Sequence, residues 1–393
     1  MNRNRIEFEN TPFLIKFTET ARFKETYGGG EGAVLLEGRH MRRPDAIKKT
    51  VLVFMHPTAT IDTLPMPREL ARRGIPVLCG GSRYPHNDTA LIMEKVVIDL
   101  GHYVRYAREK LGYERVVLAG WSGGGSLAVY YQAQAEKPTV TATPAGDPVD
   151  FSNLSPADGL MQLAAHSSRA RIMTESMDAS IRNELDPTDR DPAFDLYAKN
   201  GGPKPPYSAD FVEAYRAAQI ARNRRITAWV RETLADLERR GGPDVERCFI
   251  THGTMADPRW LDPSVDPNER VPGRCYMGDP AVVNNGPIGL GRFCTLRSWL
   301  SQWSIDESNA NTERQGPQVT IPALVVGNGA DDACPPSHTD AIYRSLGGPK
   351  ERHVISGANH YYFGQREQLS QAIDLCIDWM KRNQLLTEEL PGA

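Results

Sequence analysis

Hydrophobic positions fall into two alternating patterns along the first third of the chain. TVLVFMHP (50–57), IPVLCGG (75–81) and RVVLAG (115–120) open on continuous apolar runs. Such runs suit strands covered on both faces, as in a parallel sheet. Between them, MPRELARRG (66–74) and TALIMEKVVIDLGHYVRYAREKLG (89–112) repeat apolar residues at helical spacing, and the second ends on a glycine stop. SLAVYYQAQAE (126–136) predicts the helix after the third run. Upstream, IEFEN, FLIKFTE and GAVLLEGRH read as short strands joined by turns, with a glycine-rich stretch at Tyr27-Gly28-Gly29-Gly30.

From about residue 140 to about 318 the alternation disappears into text rich in Pro, Asp, Asn and Arg. One amphipathic helix stands out there, FVEAYRAAQIARNRRITAWVRETLADLERR (211–240), whose basic residues read as a solvated face. Alternation resumes with IPALVVGNG (321–329), TDAIYRSLGG (339–348), ERHVISG (351–357) and QLSQAIDLCIDWMKRN (368–383). The expected fold is α/β, a mostly parallel sheet flanked by helices. Residues 1–145 and 318–393 would form its core, and residues 146–317 a mainly helical cap over one end of the sheet.

Composition narrows the function. The chain has 393 residues, 40% of them hydrophobic, enough for a large core. Forty-six basic against 49 acidic residues leave a net charge of −3, which gives no electrostatic case for nucleic acid or an anionic membrane. A small molecule is the expected partner, and a homo-oligomer is neither indicated nor excluded. No window approaches the length of a membrane span. The N-terminus lacks the apolar stretch of a signal peptide, and the six scattered cysteines include no CxxC pair. Free thiols and a cytoplasmic location are the expectation.

The chemistry starts at Gly120-Trp121-Ser122-Gly123-Gly124, a G-x-S-x-G sequence placed between a buried strand and a helix. In that setting the serine occupies a sharp, strained turn, and glycines remove the collisions its neighbours would cause. Its hydroxyl would project at the end of the sheet, with the Gly123 amide at a helix start to receive an oxyanion. A phosphate-binding loop is the bland reading, but no GxxxxGK[ST] is present. Serine needs a base. His360, in SGANHYYFG before the last helix, holds the right place, whereas His353 sits within a strand pattern and His338 at a helix start. The acid that orients it should follow IPALVVGNG, where Asp331 is favoured and Asp332 is the alternative. The second oxyanion donor should come from His56-Pro57-Thr58-Ala59-Thr60. Pro57 has no amide hydrogen, so the Thr58 amide is the first candidate and Ala59 the fallback. His56 would shape this loop.

With HPTAT, GWSGGG, GNGADDACPP and GANHYYFG on the page, the chain resembles the α/β-hydrolase fold superfamily over about half its length. The resemblance implies an eight-stranded, mostly parallel sheet, a Ser122–His360–Asp331 triad with a Gly123/Thr58 oxyanion hole, and no cofactor. One departure is His-Pro where members commonly carry His-Gly. The middle segment resembles no cap that would identify a substrate.

A carboxylic ester of a small apolar or aromatic molecule is the default substrate, cleaved through an acyl-enzyme. The same triad could act on a C–C bond beside a ketone, a lactone or an amide, or transfer an acyl group. A non-catalytic ligand-binding member of the fold is the third reading. Candidate pocket residues are His56, Trp121, His252, Trp260 and Tyr361, with Trp299 and Trp303 in the other aromatic stretch of the insertion; the rings could equally build the insertion's own core. His86 and Asp88, after the second buried strand, would line the pocket or fix its loop. No metal site is expected, since neither HExxH nor CxxC occurs.

Overall fold

A computed structural model of the chain describes residues 7–20, 23–26 and 32–392. The glycine-rich stretch at 27–30 lies outside the described residues. Eight strands build the main sheet: β1 (Glu9–Thr18), β2 (Ala33–Arg42), β3 (Thr50–Met55), β4 (Val77–Gly80), β5 (Arg115–Ser122), β6 (Gly159–Ala165), β7 (Ala323–Asn328) and β8 (Lys350–Ile355). Their spatial order is β1-β2-β4-β3-β5-β6-β7-β8. The pairs β1–β2 and β2–β4 are antiparallel and all others parallel.

The apolar runs are continuous because both faces of the sheet are covered. Val51, Val53 and Met55 of β3 join one core with α2 (Met93–Glu109) and α3 (Gly124–Glu136). Leu52 and Phe54, one residue out of phase, join the opposite core. That core is completed by α1 (Pro65–Arg72) and α7 (Arg366–Arg382), whose Leu70, Ile373 and Ile377 are buried. A further helix, α6 (Pro336–Ser345), connects β7 to β8.

The sheet departs from expectation at β6. Its sequence, GLMQLAA, falls inside 146–317, the range expected to be insertion, yet it is fully buried between β5 and β7. The insertion therefore leaves the core after Ala165 rather than near 145. Its neck is narrow: Ser168 and Asn311 form an antiparallel bridge, and the Thr312 amide donates to the Ser167 carbonyl at 2.8 Å. Within it, α4 (Arg169–Ser176) and the long α5 (Ala209–Arg240) are accompanied by two short antiparallel strand pairs, Ile181–Asn183 with Asp186–Arg190 and Cys248–Ile250 with Phe293–Thr295, and by extended loops. The insertion is thus less helical than expected. Trp299 and Trp303 are fully buried with Met173, Met177, Ile226 and Val230, and so belong to its core. Among the described residues, no helix is long and apolar enough to cross a membrane.

Candidate active site

Ser122 ends β5 with φ +53°, a left-handed conformation that a serine adopts only where its surroundings impose it. Each glycine around it has a steric reason. A Cβ on Gly120 would lie 2.7 Å from the Gly124 carbonyl oxygen, and one on Gly125 would lie 2.5 Å from Ala165 Cβ. A Cβ on Gly124 would press on the Met55 carbonyl oxygen at the end of β3. The turn is therefore locked between β3 and β6, and Gly123 caps α3 with its amide at the helix start.

Opposite this turn, His360 Nδ1 is 3.0 Å from Asp331 Oδ2, with both side chains almost fully buried. The other oxygen, Oδ1, accepts from the amides of Ala333 and Cys334 at 2.7 and 2.8 Å. Asp331 is thereby fixed as the partner of His360. The backbone carbonyl of Asp332 receives the Tyr276 amide at 3.3 Å, and burial, with Asp331 next, raises its carboxyl pKa. Trp121 supports the histidine from below, with ring centroids 4.6 Å apart and Nε1 donating to the His360 carbonyl at 3.3 Å. Tyr361 packs on both rings, at 5.4 and 4.8 Å.

Cys334 sits between the two halves. Its thiol lies against the Ser122 hydroxyl, and its sulfur is within 4.8 Å of possible ligand atoms on Asp331 and His360. Three such atoms could in principle hold a metal. However, both Asp331 oxygens are already engaged, and burial holds the thiol pKa well above its usual value, so it stays protonated. The cluster fits an acid–base pair beside a hydroxyl better than a metal site.

The oxyanion loop corrects the expectation for Thr58. The amides of Thr58 and Ala59 both donate to His56 Nδ1, at 3.1 and 2.9 Å. Neither is free for a ligand. Because Nδ1 accepts, the neutral ring carries its proton on Nε2. Burial, with Arg169 next, lowers the His56 pKa to about 3, so the ring is neutral at pH 7. Nε2 lies 2.7 Å from where a Cβ on Gly123 would stand, which puts its N–H beside the Gly123 amide. The loop itself is anchored to the one after β4: Ser82 donates to the Pro57 carbonyl, and the His86 amide donates to the Thr58 carbonyl at 3.0 Å. His86 thus fixes the loop.

Several groups at the site carry no motif in the sequence. His166, after β6, is buried and neutral, its ring nitrogens 3.4 and 3.5 Å from the Cys334 sulfur. Tyr276 descends from the insertion toward Tyr361, Cys334 and Arg169. Arg169, the first residue of α4, is buried with Nη1 3.0 Å from the same Gly123 position. The insertion also closes on the acid loop, where Asn268 Nδ2 donates to the Asp331 carbonyl at 2.8 Å. Ser122 is left only 9% exposed.

Two expected pocket residues are not brought to this site. Trp260 is packed into the insertion with Met255, Cys275 and Val283. His252 gives its carbonyl to Arg222 at 2.7 Å and lies among Arg292, Arg222 and Glu184. His338 is buried against Glu175 and Ser167, a packing role.

No protein-family model and no curated protein sequence matches the chain. Solved structures do resemble it. The α/β hydrolase GrgF from Penicillium sp. sh18 superposes with a TM-score of 0.52 at 12% identity, covering 96% of this chain and 100% of that one. Est1E from Butyrivibrio proteoclasticus gives 0.46 at 13% identity, covering 90% of this chain and 96% of that one. Brefeldin A esterase, a bacterial homologue of human hormone sensitive lipase, gives 0.46 at 14% identity, covering 98% and 81%. Eight strands in this order, with a serine turn at the end of β5 and a histidine loop after β8, give the chain the α/β-hydrolase fold.

Proposed function

We propose that this chain is a serine hydrolase that cleaves a carboxylic ester through an acyl-enzyme. The observation that carries the reading is the strained Ser122, with a buried His360–Asp331 pair across a single thiol from it. In the reaction, the Ser122 hydroxyl turns from Cys334 toward His360, gives up its proton to the imidazole and attacks the carbonyl carbon. Asp331 holds the Nδ1 proton and stabilises the imidazolium. The oxyanion is received by the Gly123 amide and the His56 Nε2–H, both uncharged donors oriented before the substrate arrives. The imidazolium then protonates the departing alcohol, and a water activated by the same histidine releases the acid. The insertion serves as the cap, and Tyr276 and Tyr361 face the bound group from above.

The test is direct. The purified protein should hydrolyse short activated esters and should be labelled on Ser122 by a serine-directed fluorophosphonate. Ser122→Ala should abolish labelling and lower turnover by about 10³-fold or more. Undiminished hydrolysis by Ser122→Ala, or labelling elsewhere, would remove the proposal.

A further inference from the structure

Among the described buried arginines, Arg292 also leaves Nε without an acceptor but bonds both Nη1 and Nη2, whereas Arg169 bonds through one nitrogen alone. Arg222 saturates its guanidinium: Nε and Nη2 bind Glu184 at 2.9 and 2.7 Å, and backbone carbonyls of Asp178, His252 and Gly253 take the rest. Arg259 is likewise held by Asp257, Glu175 and Asp266. Arg169 uses only Nη2, which donates to Gln302 Oε1 at 2.8 Å and meets Asp88 Oδ2 at 3.4 Å, the outer limit of a hydrogen bond. Its Nε is buried with no acceptor, and among the described residues Nη1 makes no hydrogen bond. A buried guanidinium with idle donors is costly unless something else supplies the acceptors.

Its position adds to that cost. Arg169 is the first residue of α4, fixed there by the Ser168 cap, and a cation is disfavoured at a helix N-terminus. The N-terminus of α3 begins at Gly123, and Arg169 Nη1 lies 3.0 Å from where a side chain there would start. The start of α3 and a guanidinium thus converge beside the serine. Asp88 is the ionic partner of Arg169 at 3.4 Å and the Trp303 ring lies 4.4 Å from the guanidinium carbon, but neither supplies an acceptor to Nε or Nη1. His56 is neutral and Gln302 is uncharged. The oxyanion already has two donors in Gly123 and His56, so the free Nη1 is available to a second acceptor.

We propose that the substrate carries a carboxylate close to its scissile carbonyl, and that Arg169 binds this carboxylate through Nη1. The proposal rests on the reading of Ser122 as the nucleophile and names the substrate class of that site. It adds an acidic half-ester or similar acyl acid to the expectation of a small apolar or aromatic ester, whose remainder would face Tyr276 and Tyr361.

The test separates the two ideas by using binding rather than turnover. Calorimetric titrations of the Ser122→Ala protein compare a diacid with the monoacid of equal length: glutarate against pentanoate, and phthalate against benzoate. At least one diacid should bind about tenfold or more tightly than its monoacid. The preference should vanish in Ser122→Ala/Arg169→Gln and survive in part in Ser122→Ala/Arg169→Lys, which keeps the charge if the glutamine variant fails to fold. Diacids that bind no better than monoacids, a preference unchanged by Arg169→Gln, or no binding of either at 10 mM would each overturn the proposal. Failure of the nucleophile assignment would instead appear as ester turnover or fluorophosphonate labelling independent of Ser122.

Discussion

Beside Ser122, the proposed ester cleavage depends on which protons would point at a bound carbonyl. His56 was legible only as part of a loop. The convention of two backbone donors led to Thr58, and a sequence does not reveal that a ring nitrogen two residues earlier has captured that amide. Once Nδ1 accepts from both Thr58 and Ala59, the remaining donor is the ring's own Nε2–H. His56→Ala should therefore cost roughly 10²–10³-fold in kcat, the scale of a lost oxyanion donor, with a smaller change in KM. Steady-state kinetics on a short activated ester measures this. A kcat within threefold of wild type would return the role to the backbone. His360 and Asp331, by contrast, were readable because chain order and the preceding strand fix where a base and its acid must emerge. Arg169 and Tyr276 were not. Each stands in unpatterned text and becomes part of the site only when the insertion folds back over the sheet.

The strand–turn–helix unit from β5 to α3 is where local sequence and tertiary packing agree most closely. Its glycines follow from contacts with β3 and β6 as much as from the turn itself. Gly124→Ala places a methyl group against the Met55 carbonyl oxygen, and backbone cannot move aside as a flexible side chain would. A loss of about 1–3 kcal/mol or more is expected, read as a lower melting temperature with reduced labelling of Ser122. Unchanged stability would mean that β3 and the turn are farther apart than described. The neighbouring strand β6 was missed for a physical reason. Gly159 opens it and Gln162 interrupts its apolar run, yet Gln162 is fully buried under the turn. A Cβ on Gly120 would stand 3.1 Å from Gln162 Nε2, and one on Gly125 2.9 Å from its Oε1. A polar residue inside a central strand defeats a reading based on continuous hydrophobicity, whereas β3, β5 and β7 contain no such break.

Across the molecule, several histidines are held neutral by burial: His56 to about 3, His40 to about 4, and His166 well below its usual value. In the unfolded chain each would titrate near 6.5. Below that pH the unfolded state binds more protons than the folded one, so stability falls as the solution is acidified toward the depressed folded values. The melting temperature should decline steadily from pH 7 to pH 5, before the carboxylates titrate. A flat profile over that interval would show that these rings are hydrated and protonate freely in the folded protein.

The narrow neck at Ser168 and Asn311 bears on how such a chain reaches its folded state. Bringing β7 beside β6 across an open loop the length of residues 169–310 carries an entropic cost on the order of 4 kcal/mol. If the intervening segment organises first and its two ends are already cross-linked by backbone hydrogen bonds, most of that cost falls on the segment's own assembly. The ribosome delivers β6 long before β7, and during that interval a closed neck would leave the waiting sheet edge only a short tether away from its last two strands.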